Sequence, residues 1–323
     1  MIQRRTVGIV GTGHVGTAAA YALFNQALVP KLLLLDADHE RAEGEAMDLM
    51  HGQMLVGRVT CEAVDYAGMS DAQVIVIAAG AGQSDASETR LDLLKRNASI
   101  FQQIISELDR HAPEAILVIA TNPVDVLTYI SQELSDRPNK RIIGTGTLLD
   151  TARFRALLGQ HYNVDPRSVH AYILGEHGDS EVPIWSNATI GGQPIYGRTA
   201  LGTPWDDDAM QHLFEQARNA AYRIIEKKGY TNTAIGVVIA RIVRAILDDQ
   251  QSVLPISSRP DGAYGIDDVC LSTPCTVGIE GVGEHVTPTL TPDEETALRA
   301  SADALIASRQ GLDLSALKSE AQA

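Results

Sequence analysis

The sequence is poor in cysteine and in aromatic side chains, and it lacks the usual metal-binding motifs. Three of its 323 residues are cysteine, and aromatic residues make up only 5%. Cys61, Cys270 and Cys275 are too few for a disulfide framework, which favours a reducing compartment. No C-x-x-C pair and no H-E-x-x-H motif occurs, so the sequence predicts no metal site.

Basic residues are also scarce, and long apolar runs are missing. Acidic side chains outnumber basic ones by 41 to 26, which gives a formal net charge of −15. This balance excludes a typical nucleic-acid-binding protein, because phosphate contacts require clustered Lys and Arg. No uncharged apolar stretch reaches 18 residues, so no membrane span is expected. Arg4-Arg5 and the apolar run that follows superficially resemble a signal peptide, but Gly8, Gly11, Gly13 and Gly16 interrupt that run. We therefore expect a cytoplasmic protein.

The first half of the chain alternates apolar, β-branched runs with amphipathic or turn-rich segments. Such alternation predicts a parallel sheet covered by helices on both faces, which is an α/β doubly wound fold. The predicted strands are Thr6–Val10, Lys31–Leu35, Val59–Ala63, Val74–Ala78, Ala115–Ala120 and Arg141–Ile143. The predicted helices are Val15–Gln26, Arg41–Met50, Leu91–His111 and Val124–Leu134.

The pattern changes after about Gly144 and predicts a second, mixed α/β (α+β) domain over residues 145–323. Turn dipeptides at Gly191-Gly192 and Asp261-Gly262 indicate shorter strands. Helix start and stop signals predict four helices. These helices run from Thr147 to Leu158, from the Thr203-Pro204-Trp205-Asp206 start to Lys228 before Gly229, from Thr233 to Leu247, and onward from the capping box at Thr291-Pro292-Asp293-Glu294.

The strongest motif of the first half is Gly11-x-Gly13-x-x-Gly16, between the first strand and the first helix. Its glycines suit a tight turn, close approach of a pyrophosphate, and helix–strand packing. Asp36 stands 20 residues past Gly16, at the end of the next strand. A carboxylate there binds a ribose 2′-hydroxyl and repels a 2′-phosphate, which favours NAD over NADP. The predicted NAD-binding domain, residues 1–144, has Gly11, Gly13, Val15, Gly16 and Asp36 as cofactor residues; the alternative is an ordinary glycine turn with a surface Asp.

Three charged residues lie together on the helix that opens the second domain. Asp150 and Arg153 are three apart and share a face, whereas Arg155 points roughly the opposite way. A guanidinium is well suited to bind a substrate carboxylate through two hydrogen bonds. The alternative is a common surface ion pair.

A histidine between glycines follows the next apolar strand, in Gly175-Glu176-His177-Gly178-Asp179. Histidine titrates near neutrality and can both donate and accept a proton within one reaction cycle. Asp150 is the candidate partner that would fix the tautomer of His177 and favour its charged form. The alternative is a structural loop histidine.

Further candidates follow the strands whose carboxyl ends bind ligands in such sheets. Arg90 closes a small, polar segment, residues 80–90, whose composition is typical of a mobile lid or of a plain surface loop. Asn122-Pro123 follows the fifth strand and is compatible with ligand binding or with a helix cap. Thr231 lies just beyond Gly229, where the alternative is the start of the next helix.

Taken together, these segments resemble the L-lactate dehydrogenase and malate dehydrogenase family, most closely its bacterial allosteric L-lactate dehydrogenase branch. The resemblance covers nearly the whole chain. It rests on Gly11 to Gly16, Asp36, Glu88-Thr89-Arg90-Leu91-Asp92-Leu93, Thr121-Asn122-Pro123-Val124-Asp125, Leu149-Asp150-Thr151-Ala152-Arg153-Phe154-Arg155, and Gly175 to Asp179.

The resemblance implies an NAD-dependent dehydrogenase that interconverts a 2-oxo acid and an L-2-hydroxy acid. It makes His177 the proton donor and acceptor and Asp150 its orienting carboxylate. It makes Arg153 the anchor of the substrate carboxylate and Arg90 the lid arginine that polarises the carbonyl. Asn122 then lies near nicotinamide and substrate, and Thr231 lies beside the substrate.

Substrate choice depends on Gln83 within this resemblance. In the family a lid glutamine accompanies pyruvate and lactate, whereas an arginine at that position recognises the second carboxylate of oxaloacetate. Gln83 therefore predicts pyruvate and L-lactate, with malate or another L-2-hydroxy acid as the alternative. The segment departs from the family pattern, since it looks one residue longer and Asp85-Ala86-Ser87 replaces the usual Pro-Gly.

Regulation and assembly are also implied by the resemblance. Arg155 and His170 match positions where allosteric bacterial members bind fructose 1,6-bisphosphate between subunits, and the family suggests a homotetramer. The alternative is that both are ordinary surface residues. A non-catalytic NAD-binding protein of the same fold would be expected to lack a catalytic residue, and His177, Asp150, Arg153 and Arg90 are all present.

Overall fold

A computed structural model describes residues 5–82 and 89–321 of the chain. The elements of the first half follow the predicted order. They are β1 (Thr6–Val10), α1 (His14–Asn25), β2 (Lys31–Leu35), α2 (His39–His51), α3 (Gln53–Val56), β3 (Thr60–Ala63), β4 (Val74–Ile77), α4 (Arg90–His111), β5 (Ile116–Ile119), α5 (Val124–Leu134) and β6 (Ile142–Gly144).

The second half mixes longer helices with antiparallel strands. Its elements are α6 (Leu148–Tyr162), β7 (Val169–Leu174), β8 (Val182–Ile190), β9 (Gln193–Pro194), α7 (Asp207–Arg218), α8 (Ala220–Lys228), α9 (Thr233–Leu247), β10 (Ser252–Ser258), β11 (Leu271–Gly278), β12 (Gly281–His285), α10 (Pro292–Ser308) and α11 (Leu314–Ala321).

The first six strands form the predicted doubly wound parallel sheet, in the order β3-β2-β1-β4-β5-β6. Strand β4 reads Val-Ile-Val-Ile and is buried throughout, as a strand covered on both faces requires. Helices α1, α2 and α9 pack on one face, and α4, α5 and α10 pack on the other. The Rossmann fold is confirmed.

The strands of the second half are divided between the main sheet and a separate, smaller sheet. β10 pairs antiparallel with β6 at Ser257 and Gly144, and β11 and β12 extend the same sheet to nine strands. Strands β7, β8 and β9 form a second, three-stranded antiparallel sheet, with Gly191 and Gly192 between β8 and β9. The mixed α/β character predicted for this half is confirmed, although the continuation of the main sheet was not predicted.

One helix prediction was wrong. The segment from Pro204 to Lys228 is two helices, α7 and α8, because Asn219 ends the first and precedes the second. The cap of α7 is Asp206, whose carboxylate accepts a hydrogen bond from the Ala209 amide at 2.8 Å, and Thr203 lies in a tight turn with Ala200. The start of α10 was predicted correctly, since Thr291 and Glu294 form the reciprocal capping box.

The parallel strands all end at one edge of the sheet. Val10 is in register with Leu35 and Ile77, and Ile77 is in register with Ile119. The residues that follow these strand ends therefore face a common crevice, where ligands bind in open α/β sheets. Among residues 5–82 and 89–321, no helix has both the length and the apolar composition needed to cross a membrane.

We expect Gly16→Ala to destabilise the protein by about 1–3 kcal/mol, as overpacking does. A Cβ atom at Gly16 would lie 1.8 Å from the carbonyl oxygen of Gly11, so the β1–α1 turn would have to open. Gly44→Ala is the matched control: Gly44 is an exposed residue inside α2 with open space around it, so this change should stabilise by about 0.5–1 kcal/mol. Urea unfolding measures both, and equal effects of the two substitutions would contradict this account.

Candidate active site

The turn between β1 and α1 opens onto the crevice, and its three glycines serve different steric needs. Gly11 has a φ of +95° and lies against the backbone of Ala79, which a Cβ atom would approach to 2.5 Å. Gly16 packs against Gly11, whereas Gly13 faces open space, with no atom within 4 Å of an added Cβ. The backbone at Gly13 is therefore open to close approach by a phosphate at the start of α1. Val15 follows as the second residue of this helix.

Asp36, at the end of β2, presents an ionised carboxylate to the same crevice. Its Oδ2 accepts hydrogen bonds from the amide and the hydroxyl of Thr12, at 2.6 and 2.9 Å, and Oδ1 accepts from the amide of Asp38 at 3.0 Å. Burial alone would raise the pKa of Asp36, but these hydrogen bonds and the nearby Arg41 guanidinium lower it overall.

A cleft of about 820 Å³ connects Asp36 with the glycine turn and with Tyr66. An anionic acceptor that faces ribose hydroxyls, together with open backbone at Gly13, suits NAD and disfavours a 2′-phosphate. The residues present therefore fit the dinucleotide.

Asp150 links the two residues expected to act on the substrate. It lies in the first turn of α6 and is only 2% exposed. Its Oδ2 is 2.5 Å from Nδ1 of His177, and its Oδ1 accepts a hydrogen bond from Nη1 of Arg153 at 2.8 Å. Both carboxylate oxygens are thus occupied, and the imidazole and the guanidinium are held on either side of one buried charge.

The loop that carries His177 is tied to the main sheet. Gly175, just after β7, exchanges two backbone hydrogen bonds with Ser272 of β11. The Ser272 hydroxyl also accepts a hydrogen bond from the amide of Thr147, the residue before α6. One serine therefore fixes both the start of the helix that carries Asp150 and the loop that carries His177.

Asp125 holds the backbone of His177. It lies in the first turn of α5, is fully buried, and its Oδ2 accepts a hydrogen bond from the His177 amide at 2.7 Å. Burial raises the pKa of Asp125 to about 6, although the neighbouring Ser257 and His177 oppose that rise. Sequence reasoning assigned Asp125 no role, even though it stands three residues after Asn122 in a recognised motif.

Glu181 is the second ionisable group that sequence reasoning missed. It is buried just before β8, and its Oε1 has no hydrogen-bond partner. Burial and the negative charge of Asp150 raise the pKa of Glu181 to about 8, against the positive charges of His177, Arg153 and Arg218. Its position four residues after His177 was the available signal, but a loop carboxylate ordinarily points to water.

His177 carries a proton at neutral pH in this setting. Burial by itself would lower its pKa, but the charge and hydrogen bond of Asp150 outweigh burial, with smaller contributions from Asp125 and Glu181, and raise the pKa to about 9. The side chain of His177 remains 23% exposed, so the ring is accessible to a small molecule. The arrangement can deliver a proton to an oxygen placed next to a guanidinium.

The other predicted site residues lie around this cluster. Asn122 is exposed at the carboxyl end of β5; it does not cap α5, whose N-cap position is taken by Pro123. Thr231 is half-buried in the loop between α8 and α9, two residues before α9 begins. Arg90 is the first residue of α4, and its side chain, like all of Gln83, lies outside what the structure describes.

Arg155 contacts strand β7. Its Nε donates a hydrogen bond to the carbonyl of Ala171 at 2.9 Å, and its guanidinium carbon lies 5.1 Å from the centre of the Tyr172 ring. His170 is exposed on the same strand, β7. The structure thus brings Arg155 next to the strand position of His170.

In the part of the chain that the structure describes, no group of three or more His, Cys, Asp or Glu side chains is arranged to hold a metal ion. All three cysteines are buried and unpaired with one another.

Comparisons with known proteins cover nearly the whole chain. Two family models match: the NAD binding domain of lactate/malate dehydrogenase over residues 5–144, and the alpha/beta C-terminal domain of lactate/malate dehydrogenase over residues 147–311. The sequence is 73% identical to an L-lactate dehydrogenase of Salinibacter ruber, over 97% of this chain and 99% of that protein. It is 44% identical to an L-lactate dehydrogenase of Priestia megaterium, over 94% and 95% of the two chains.

The fold of this chain is also closely similar to that of a solved structure. The minor L-lactate dehydrogenase of Enterococcus mundtii, in a ligand-bound form, superposes with a TM-score of 0.92. That protein is 43% identical, and the alignment covers 95% of this chain and 98% of the other.

We expect Asp150→Asn to lower the pKa of His177 from about 9 towards its ordinary value of about 6.5. The amide keeps the shape but not the charge, so the largest opposition to burial is lost. Diethyl pyrocarbonate modifies histidine only when the imidazole is neutral, and mass spectrometry of the His177 peptide over a pH series measures the midpoint. Asp165→Asn, on an exposed carboxylate paired with Arg167, is the matched control. A midpoint near pH 9 in Asp150→Asn would show that Asp150 does not govern the ring.

The raised pKa of His177 also determines how the stability of the folded protein depends on pH. The folded-state pKa of His177 lies above the unfolded value, so the ion pair stabilises the fold fully below about pH 6.5. That contribution is lost as the pH rises through about 9.

Proposed function

The chain belongs to the lactate/malate dehydrogenase family, and we propose that it catalyses the NAD-dependent interconversion of pyruvate and L-lactate. The observation that carries the proposal is the single buried carboxylate of Asp150, which binds His177 through one oxygen and Arg153 through the other. A 2-oxo acid needs a proton donor for its carbonyl and a cation for its carboxylate, and the two groups are held by one residue.

His177 is the proposed general acid in the reductive direction and the general base in the other. The nicotinamide, when bound, supplies or accepts the hydride. Asp150 bonds Nδ1, so the other ring nitrogen, Nε2, is the one that presents the proton to the carbonyl oxygen. Negative charge grows on that oxygen as the reaction proceeds, and a protonated ring therefore stabilises the transition state more than the substrate.

The proposed roles of the arginines follow from charge. Arg153 binds the substrate carboxylate, since a guanidinium offers a planar pair of donors. Its side chain is only 15% exposed, which limits competition from water. Arg90 polarises the carbonyl, and Asn122 and Thr231 complete the walls next to nicotinamide and substrate.

Lactate rather than malate is the proposed substrate because of Gln83. A neutral amide would leave the second carboxylate of oxaloacetate unpaired in a closed site, which is costly. The L-lactate dehydrogenases of Salinibacter ruber and Priestia megaterium support the same choice through their similarity to this chain.

We expect the purified enzyme to oxidise NADH with pyruvate at a kcat/KM at least about 100-fold above that with oxaloacetate, given the cost of a buried unpaired carboxylate. Assays with pyruvate, oxaloacetate and 2-oxoisocaproate at equal concentration measure the preference. His177→Asn should reduce pyruvate turnover by about 10²- to 10⁴-fold. That loss would show that the turnover comes from this protein and not from a contaminating enzyme. A preference for oxaloacetate would make the protein a malate dehydrogenase, and a preference for 2-oxoisocaproate would make it a branched 2-hydroxy-acid dehydrogenase.

Assembly into a homotetramer is part of the proposal. Large apolar side chains are exposed on α2, α3 and α8, and Met54 and Leu55 are 89% and 82% exposed. Exposed apolar clusters of this kind are typical of interfaces between copies of a chain.

Activation by fructose 1,6-bisphosphate is the regulatory part of the proposal. Arg155 is anchored on β7 beside exposed His170, and two such pairs meeting at a two-fold axis would form a cationic site for phosphate. In a chain of net charge −15, such a site would attract phosphate locally and would favour assembly when occupied.

We expect fructose 1,6-bisphosphate to lower the apparent KM for pyruvate at least about fivefold in the wild type, a typical coupling between sites. Arg155→Ala should abolish this effect because the phosphate loses its main cation. Arg110→Ala, on an exposed arginine of α4, is the matched control and should respond like the wild type. If the KM is unchanged in wild type and Arg155→Ala alike, the chain has no such site.

A further inference from the structure

Two aromatic rings stack where the glycine turn meets the loop that carries Thr231. The imidazole of His14 and the phenol ring of Tyr230 have centroids 3.8 Å apart, and their planes differ by 2°. His14 is the first residue of α1 and lies between Gly13 and Val15 in the glycine motif. Tyr230 directly precedes Thr231.

The Tyr230 loop is short and internally closed. Gly229 ends α8 with a φ of +88°, which turns the chain sharply towards Tyr230. Lys228 Nζ donates a hydrogen bond to Oδ1 of Asn232 at 2.6 Å and lies 4.7 Å from the centre of the Tyr230 ring. These contacts hold Lys228, Tyr230 and Asn232 together, and Thr231 lies between the last two.

Helices α1 and α9 pack closely against each other next to the stack. α1 and α9 touch at Gly236, where an added Cβ atom would lie 2.6 Å from the carbonyl oxygen of Ala18. The loop before α9 is therefore attached to α1 twice: once through the backbone at Gly236, and once through the His14–Tyr230 stack at the amino end of α1.

Stability alone does not account for the stack. His14 is exposed and Tyr230 is half-buried, so the rings bury little surface. Their location is informative, because one ring belongs to the turn that would receive the dinucleotide phosphates and the other adjoins the proposed substrate threonine. The stack is thus a direct side-chain contact between the glycine turn and the residue that precedes Thr231.

We propose that the His14–Tyr230 stack is a positioning contact through which the bound dinucleotide orders Thr231 for the substrate. The inference rests on the proposed function. When the dinucleotide orders Thr231, the entropic cost of ordering that residue no longer falls on substrate binding. The substrate therefore binds more tightly once the glycine turn is occupied. Neither ring contacts the reacting atoms in this proposal, and both act through Thr231.

The test separates substrate binding from coenzyme binding and from chemistry. His14→Ala removes the stack, and we expect the KM for pyruvate to rise about three- to tenfold, the value of an aromatic pair. The dissociation constant for NADH, measured by fluorescence, and the thermal midpoint should change little. His14→Phe keeps an aromatic ring at this position and should return the KM to within twofold of the wild type.

Two further variants test whether the change in KM comes from the His14–Tyr230 contact itself. Tyr21→Ala removes an exposed ring from the same helix and is the matched control, with an unchanged KM. Tyr230→Leu should raise the KM as much as His14→Ala does, and the double variant should be no worse than either single one, because both remove one contact.

Each outcome decides a different claim. If wild-type turnover is normal and His14→Ala leaves the KM for pyruvate within twofold, the stack has no positioning role. Failure of His14→Phe to restore the KM, or a parallel weakening of NADH binding in His14→Ala, also overturns the inference. Absence of pyruvate turnover in the wild type would overturn the proposed function itself, and this inference with it.

Discussion

The buried carboxylate of Asp150 is the constraint on which the rest of the site depends. An unpaired charge in such a place would cost several kcal/mol, so the fold must present partners to both oxygens. His177 satisfies one oxygen and Arg153 satisfies the other. Two positive groups offset the desolvation cost of this one buried negative charge. The same two groups are those that a 2-oxo acid requires, a proton donor for its carbonyl and a cation for its carboxylate.

The cluster around Asp150 is assembled from three separate regions of the chain, because His177 and Glu181 share the loop between β7 and β8. α6 supplies Asp150 and Arg153, the loop after β7 supplies His177, α5 supplies Asp125, and the segment before β8 supplies Glu181. Ser272 of β11, a strand of the main sheet, joins the start of α6 to the loop of His177, and Asp125 joins α5 to that loop through the His177 amide. The antiparallel extension of the sheet by β10, β11 and β12 therefore does more than cover an edge: it fixes the second half of the chain against the crevice of the first.

The electrostatic balance of the site explains how His177 can hold its proton. Three carboxyl groups, those of Asp150, Asp125 and Glu181, surround a ring that burial alone would deprotonate. Asp125 and Glu181 have raised pKa values, because burial disfavours their charged forms. Asp150 differs, since the charge and hydrogen bond of His177 and the charge of Arg153 overcome its burial and keep its pKa low. One carboxyl thus stays ionised among neighbours that ionise less readily, and the ring pairs with that one.

The sequence by itself determined the alternation of strands and helices, the glycine turn, Asp36 at the end of β2, the capping box at Thr291 and the shared face of Asp150 and Arg153. These features arise from local rules: side-chain periodicity, caps and the steric needs of single turns. Tertiary structure decided the break between α7 and α8 at Asn219, the joining of β10 to β6, the placement of Asp125 and Glu181 beside His177, and the stack of His14 on Tyr230. Each of these joins residues far apart in the chain, or depends on the packing of such residues, and their contact energies become available only after the chain has folded.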